Sequence, residues 1–297
     1  METLMNLPHS TDDEQATLWN GPSGRAWVET QDLLDQLFKP LDDLLVDAIT
    51  AKSKCRLLDV GCGTGSTTLA IARRLKAKDC CIGIDISSLM ITAARTRAER
   101  DGTPATFICA NAQTHAFEPA QFDAIISRFG VMFFTNPVQA LANLRRSARE
   151  GAELRLIVWR SAEENPFMTQ AERAAAPLLP MLPARRPNVP GQFAFANQHR
   201  IYSILEQSNW TDIAIQPIDV ACSMPEKELT PYLTQLGPVG MVLQEADKET
   251  RTRIIETIRP AFDPYVYGTE VRFSAACWMI SARVSSVLAE TKNGLST

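Results

Sequence analysis

Apolar residues along this chain follow two alternating rhythms. Short apolar runs near 56–60, 80–86, 105–109, 122–127 and 153–159 are separated by helically spaced stretches near 66–77, 87–101 and 137–149. In Ser66–Leu75, for example, Leu69, Ala72 and Leu75 fall on one helical face. Strand and helix in strict alternation predict an α/β fold, a doubly wound parallel sheet covered on both faces. Ahead of it, Gly24 to Ala51 has a helical pattern through Trp27, Leu34, Leu37, Leu41, Leu44 and Leu45, with Pro40 marking a kink or break. A hinge-like turn, Asn20–Gly24, joins it to a short helix carrying Trp19, and residues 1–15 are polar. These N-terminal helices are expected to pack over the mouth of a ligand site.

Past Arg160 the rhythm changes. Pro177, Pro180, Pro183, Pro187 and Pro190 suit a stiff connector within a cap better than a polyproline recognition ligand. Helical patterns return at 165–176, 197–208 and 226–260, the last interrupted at Gly237–Gly240, and strand patterns at 211–220 and 271–280. The expected layout is an N-terminal helical cap (1–50), an α/β core (51–160), an insert (161–200), a core helix and strand (201–221), a helical insert (222–268), and a last core strand and tail (269–297).

The densest chemistry is Leu57-Leu-Asp-Val-Gly-Cys-Gly-Thr-Gly65, a strand running into glycines 61, 63 and 65. Alternate glycines let the chain turn sharply and a ligand approach the main chain without meeting Cβ atoms. The next apolar run ends in Asp85, 20 residues past Gly65, where a carboxylate can accept both hydroxyls of a ribose. In the dinucleotide pattern G-x-G-x-x-G the third glycine stands three positions after the second. Here that place is Ser66, which disfavours a nicotinamide cofactor. A helix N-terminus behind such a loop also suits a carboxylate.

These residues resemble the class I S-adenosylmethionine-dependent methyltransferases, and in pattern the small-molecule enzymes of the ubiquinone/menaquinone-biosynthesis type. The similarity continues in Ile108–Gln113, with Asn111 at the family's usual acid, in Phe122–Arg128, and in Arg145–Gly151 with Leu154–Trp159. The resemblance implies a seven-stranded, mostly parallel sheet whose antiparallel last strand inserts between the fifth and sixth, with both inserts forming a lid. It implies S-adenosylmethionine as cofactor and S-adenosylhomocysteine as product. The expected cofactor-binding residues are Asp59, Gly61, Cys62, Gly63, Gly65, Asp85, Ile86, Met90, Asn111, Ala112, Gln113, Ser127 and Arg128. Which of Asn111 and Gln113 meets the adenine is open.

Composition narrows the partners. With 34 acids against 30 bases and the bases dispersed, no nucleic-acid footprint is visible. Seven cysteines without a C-x-x-C pair read as reduced, with Cys80, Cys81 and Cys109 expected in buried strands. The chain shows neither a leader pattern nor a long uncharged apolar stretch, so a cytoplasmic enzyme is expected, of unspecified oligomeric state. No metal-ligand spacing and no G-x-S-x-G elbow occurs. The histidines, His9, His115 and His199, lie outside the cofactor motifs, and His199 is the best of three weak candidates for a base. Arg128 could orient an anionic or carbonyl oxygen of a substrate, or pair with an acid of the N-terminal helix. Trp19, Trp27, Phe129, Met132, Phe133, Trp159, Phe167 and Phe195 are candidate pocket walls for a planar or lipophilic small-molecule acceptor. The expected function is methyl transfer to such an acceptor. A non-catalytic protein on the same fold and a nicotinamide-dependent oxidoreductase are the alternatives.

Overall fold

A computed structural model of the protein describes residues 11–50, 55–75, 80–180, 182, 185–186 and 188–285. His9, Pro183 and Pro187, with most of the polar N-terminal stretch, lie outside the described residues. The chain opens with three helices, α1 (Asp12–Asn20), α2 (Pro22–Glu29) and α3 (Gln31–Thr50). Of the kink or break expected at Pro40, the break does not occur: α3 runs through it, and the chain turns at Thr30. Pro40 sacrifices one backbone hydrogen bond. Burial of Leu33, Leu34, Leu37, Phe38, Leu41 and Leu45 against the main core offsets that loss, while Leu44 turns to solvent.

The alternating core follows as β1 (Leu57–Val60), α4 (Ser66–Leu75), β2 (Cys81–Asp85), α5 (Ser88–Arg100), β3 (Ala105–Cys109), β4 (Phe122–Arg128), α6 (Pro137–Ser147) and β5 (Ala148–Trp159). Then come α7 (Pro166–Ala175), α8 (Gln198–Gln207), β6 (Thr211–Pro225), α9 (Leu229–Gln235), α10 (Gly237–Glu245), α11 (Lys248–Ile258), the two-residue β7 (Val266–Tyr267) and β8 (Glu270–Arg283). The sheet order is β3-β2-β1-β4-β5-β8-β6, with β7 beside β8 as a short eighth strand. Strands β1 to β5 pair in parallel, and β8 is antiparallel to both β5 and β6. The last strand thus lies between the fifth and sixth, as expected from the family pattern.

Burial explains which runs became strands. All four residues of β1 are buried, and β4, and β5 from Ala152 onward, are nearly so, because helices cover both faces. The strand order reverses between β1 and β4, and that reversal opens a crevice at their carboxyl ends. Cys62, Cys80, Cys81, Cys109, Cys222 and Cys277 are free thiols. Cys81 is buried as expected, whereas Cys80 is half-buried and Cys109 exposed. Cys109 ends β3, the outermost strand, which has a neighbour on one side only.

Two contacts fix the crevice. Gly61, at φ +67°, and Gly130 pass so close that a Cβ on Gly130 would stand 2.5 Å from the Val60 carbonyl oxygen and 2.7 Å from Gly61 Cα. Behind them, the Thr68 hydroxyl of α4 donates to Asp59 Oδ2 at 2.6 Å, tying β1 to the helix after the glycine loop. Burial raises the Asp59 carboxyl to about 7, against the opposing pull of the Thr68 hydrogen bond.

Gly130→Ala is expected to cost about 1–3 kcal/mol, because the added methyl meets backbone on two sides; denaturant unfolding measures it. Asp59 holds its proton more tightly folded than unfolded, so its contribution to stability is present at low pH and is lost as pH rises from about 4 through about 7. Asp59→Asn, which keeps an acceptor for Thr68, should flatten the fall in melting temperature across that window. An unchanged pH slope would assign the effect to other groups.

Candidate active site

A cavity of about 470 Å³ opens at the crevice and extends under the inserts. Its floor is built from strand ends. Asp85 ends β2, its Oδ2 accepting the Gly63 N–H at 2.9 Å and its Oδ1 the Ser87 N–H at 2.9 Å. Burial pushes this carboxyl up, and the main-chain N–H groups pull it back. Each oxygen keeps a second lone pair, and Asp85 lines the cavity beside Gly61 and Gly63.

Next to Asp85, the wall is Ile86, Met90, Asn111, Ala112 and Gln113. The Gln113 amide is committed to protein: Oε1 accepts the Asn136 N–H at 2.9 Å, and Nε2 donates to Asp12 at 3.2 Å. Asn111 uses its oxygen to accept the Gln113 N–H at 2.9 Å, a local turn that leaves its amide nitrogen out of the loop's own bonding. Of the two, Asn111 is the better placed to meet a ligand.

Helix α1 closes this end. Asn20 Nδ2 donates to the Ile86 carbonyl at 3.2 Å, the Ser88 N–H donates to Asn20 Oδ1 at 2.8 Å, and the Ser87 hydroxyl donates to the Trp19 carbonyl at 2.6 Å. The Thr135 hydroxyl also donates to Asp12. The Trp19 ring meets Phe133 edge-on at 4.9 Å and Trp27 at 6.1 Å.

At the end of β4, Ser127 is a staple: its hydroxyl donates to the Val60 carbonyl at 2.7 Å and accepts the Gly130 N–H at 3.1 Å. Phe129 takes φ +68° and stacks on Trp159 at 4.5 Å, the planes 7° apart. Arg128 faces the cavity, with Nε 2.8 Å from Asp42 Oδ1 of α3. Of the two readings open in sequence, pairing with an acid of the N-terminal helices is therefore the observed one.

Several expected site residues stand behind the wall. Asp59 is turned toward Thr68, Cys62 and Gly65 back onto Gly83 and Phe107, and Ser127 onto Val60. Their contribution is the shape of the loop. Phe195 is a core residue at 2% exposure, outside the cavity. His199 lies exposed in the first turn of α8, away from the cavity, so a base role has no geometric support; His115 rests half-buried against Phe117. Trp19, Trp27, Phe129, Met132, Phe133, Trp159 and Phe167 do line it.

The insert side is apolar: Phe167, Met168, Tyr232, Leu233, Leu236 and Phe262, with one charged pair, Arg185 and Glu172, in which Arg185 Nη2 and Nε stand 2.5 and 3.1 Å from the carboxylate oxygens. Sequence reasoning missed Asp12, Phe38, Glu172, Arg185 and Tyr232. Phe38 carried a helical-face signal; the others sit where only tertiary folding brings them. Among the described residues no group of acidic, histidine or cysteine side chains could hold a metal ion, and no helix is long and apolar enough to cross a membrane.

Residues 57–151 match a family model described as a methyltransferase domain. The chain is similar to aklanonic acid methyltransferase DauC of a Streptomyces species, 33% identical over 108 residues, 36% of this chain and 49% of that protein. It is also similar to demethylmenaquinone methyltransferase of Thermus thermophilus, 32% identical over 128 residues, 41% of this chain and 58% of the other. The matches span about half the length of these relatives. In fold it resembles the YcgJ protein of Bacillus, with a TM-score of 0.54 at 16% identity over 82% of this chain and 98% of that one. The strand order and the glycine loop facing Asp85 agree with the match of residues 57–151 to a methyltransferase domain.

Proposed function

We propose that this protein transfers a methyl group from S-adenosylmethionine to a planar or lipophilic small molecule. One observation carries the reading: a single cavity joins the glycine loop and Asp85 to an aromatic-lined apolar compartment beneath the inserts. The residues suit the cofactor. Gly61 and Gly63 leave the main chain bare, Asp85 keeps lone pairs for a ribose, and Ile86, Met90 and Asn111 offer an apolar and amide surface for a base. The names of two relatives, an aklanonic acid and a demethylmenaquinone methyltransferase, support a small-molecule acceptor.

When bound, the cofactor supplies an electrophilic methyl on a sulfonium. What remains for the protein is geometry and the exclusion of water. Helix α1 and the ring set Trp19, Trp27 and Phe133 cover one side, and α7, α9 and α10 the other. Phe129 and Trp159, stacked after the left-handed turn at the end of β4, give the cavity a flat aromatic wall suited to a planar acceptor. Neither His115 nor His199 lines the cavity, which accords with catalysis mainly by positioning.

Asp85→Asn should weaken S-adenosylhomocysteine binding by about 1.5–3 kcal/mol, the worth of hydrogen bonds to a charged group, with the far-ultraviolet circular dichroism unchanged. An unaltered dissociation constant in calorimetry would show that the ribose lies elsewhere. With quinols, catechols and heterocyclic amines offered alongside S-adenosylmethionine, release of S-adenosylhomocysteine is expected with at least one class. Cofactor binding without turnover on any of them would favour a non-catalytic role.

A further inference from the structure

The compartment beneath the inserts is apolar except for a few groups, and two of these are left poorly bonded by the protein itself. Both belong to α9, where Tyr232 and Gln235 stand three residues apart on one helical face and both line the cavity. Leu229 and Leu233, buried in the main core, fix that helix. The Tyr232 hydroxyl has one hydrogen-bond partner among the described residues, the Met168 thioether at 3.6 Å. Thioether sulfur is a weak acceptor, so the hydroxyl remains an available donor. Burial pushes this phenol above its ordinary value and keeps it neutral. Gln235 Oε1 is buried and has no hydrogen-bond partner among the described residues. An unmade buried hydrogen bond is costly, so a ligand that completes both bonds gains affinity here.

The sheet places this pair away from the glycine loop. The Tyr232 ring lies 5.8 Å from Phe167, which stacks at 3.9 Å on Phe273 of β8. In strand order β8 follows β5, whereas Asp85 and Gly61 stand at the ends of β2 and β1, on the other side of β4. The stacked rings of Phe129 and Trp159, at the ends of β4 and β5, come between the two in that order. Charge is already matched within the cavity wall: Arg128 stands beside Asp42, and Arg185 engages Glu172. What α9 offers a ligand is therefore one neutral donor and one neutral acceptor.

Resting on the methyltransferase reading, we propose that Tyr232 and Gln235 are the specificity-determining pair for the methyl-accepting substrate, and that this substrate is an uncharged planar molecule bearing a hydroxyl beside a carbonyl. The Tyr232 O–H donates to the carbonyl oxygen, and Gln235 Oε1 accepts from the hydroxyl. Contact at two points fixes the rotation of the substrate in its own plane, which the flat wall of Phe129 and Trp159 alone leaves free.

The test titrates the full chain, saturated with S-adenosylhomocysteine, with 3-hydroxyflavone and with flavone, which lacks only the hydroxyl. The native protein should prefer 3-hydroxyflavone by about 2- to 12-fold, the worth of one neutral hydrogen bond. Gln235→Leu should bring that ratio close to one and leave flavone binding unchanged. Tyr232→Phe should weaken both ligands by a similar factor and keep the ratio, because both carry the carbonyl. Neither variant should alter the affinity for S-adenosylhomocysteine, and thermal melting certifies that both are folded. Absence of a native preference for 3-hydroxyflavone, or folded variants that bind both flavones as the native protein does, would overturn the pair and leave the methyltransferase reading standing. A loss of S-adenosylhomocysteine affinity in the variants would also overturn it, by assigning α9 to the cofactor. Failure of the native protein to bind S-adenosylhomocysteine would overturn both readings.

Discussion

The site depends on one close approach, the passage of the Gly61 and Gly130 backbones at the carboxyl ends of β1 and β4. Parallel neighbours in a twisted sheet diverge where their connections leave on opposite faces, and here the divergence begins only after the two glycines have passed. Ser127 locks the approach from below by bonding Val60 and Gly130 together. Everything lining the cavity is placed relative to this point. The glycine loop turns away from it toward Asp85, and Phe129 turns away on the other side toward Trp159. A side chain at either glycine would push these halves apart.

Polar burial around this point is dense. Asp59, Asp42 and Asp85 lie beneath one loop, and each is held differently: one by a single hydroxyl, one by two hydroxyls and an arginine, one by main-chain N–H groups. These contacts tie the loop to α4, to α3 and to the start of α5, so it cannot shift without breaking a buried hydrogen bond.

Much of this was legible in sequence because the relevant physics is local. Apolar runs of five to seven residues bounded by turn chemistry gave the strands, and their alternation with helices gave the sheet. The glycine spacing and Asp85 carried the cofactor reading. What sequence could not give was direction: Asp59, Cys62, Gly65 and Ser127 sit in the right motifs but point behind the wall, and Phe195 shares an aromatic-rich turn with Phe193 yet packs into the core. Pro40 does not break the chain, although local backbone chemistry allows a kink or a break there, because α3 answers to a buried face along its length. Asp12, Glu172 and Tyr232 reach the cavity from elements far apart in the chain, a relation no local pattern encodes.

Helix α1 has none of its residues fully buried, and Asp12, Trp19 and Asn20 tie it to Gln113, Phe133 and Ile86, which also border the cavity. Such a helix has little cohesion of its own beyond its Thr11 capping box. Occupancy of the cavity and docking of α1 therefore draw on the same contacts, and the two are thermodynamically linked. A ligand that fills the space beneath Trp19 stabilises the docked helix by as much as the helix strengthens the ligand's hold.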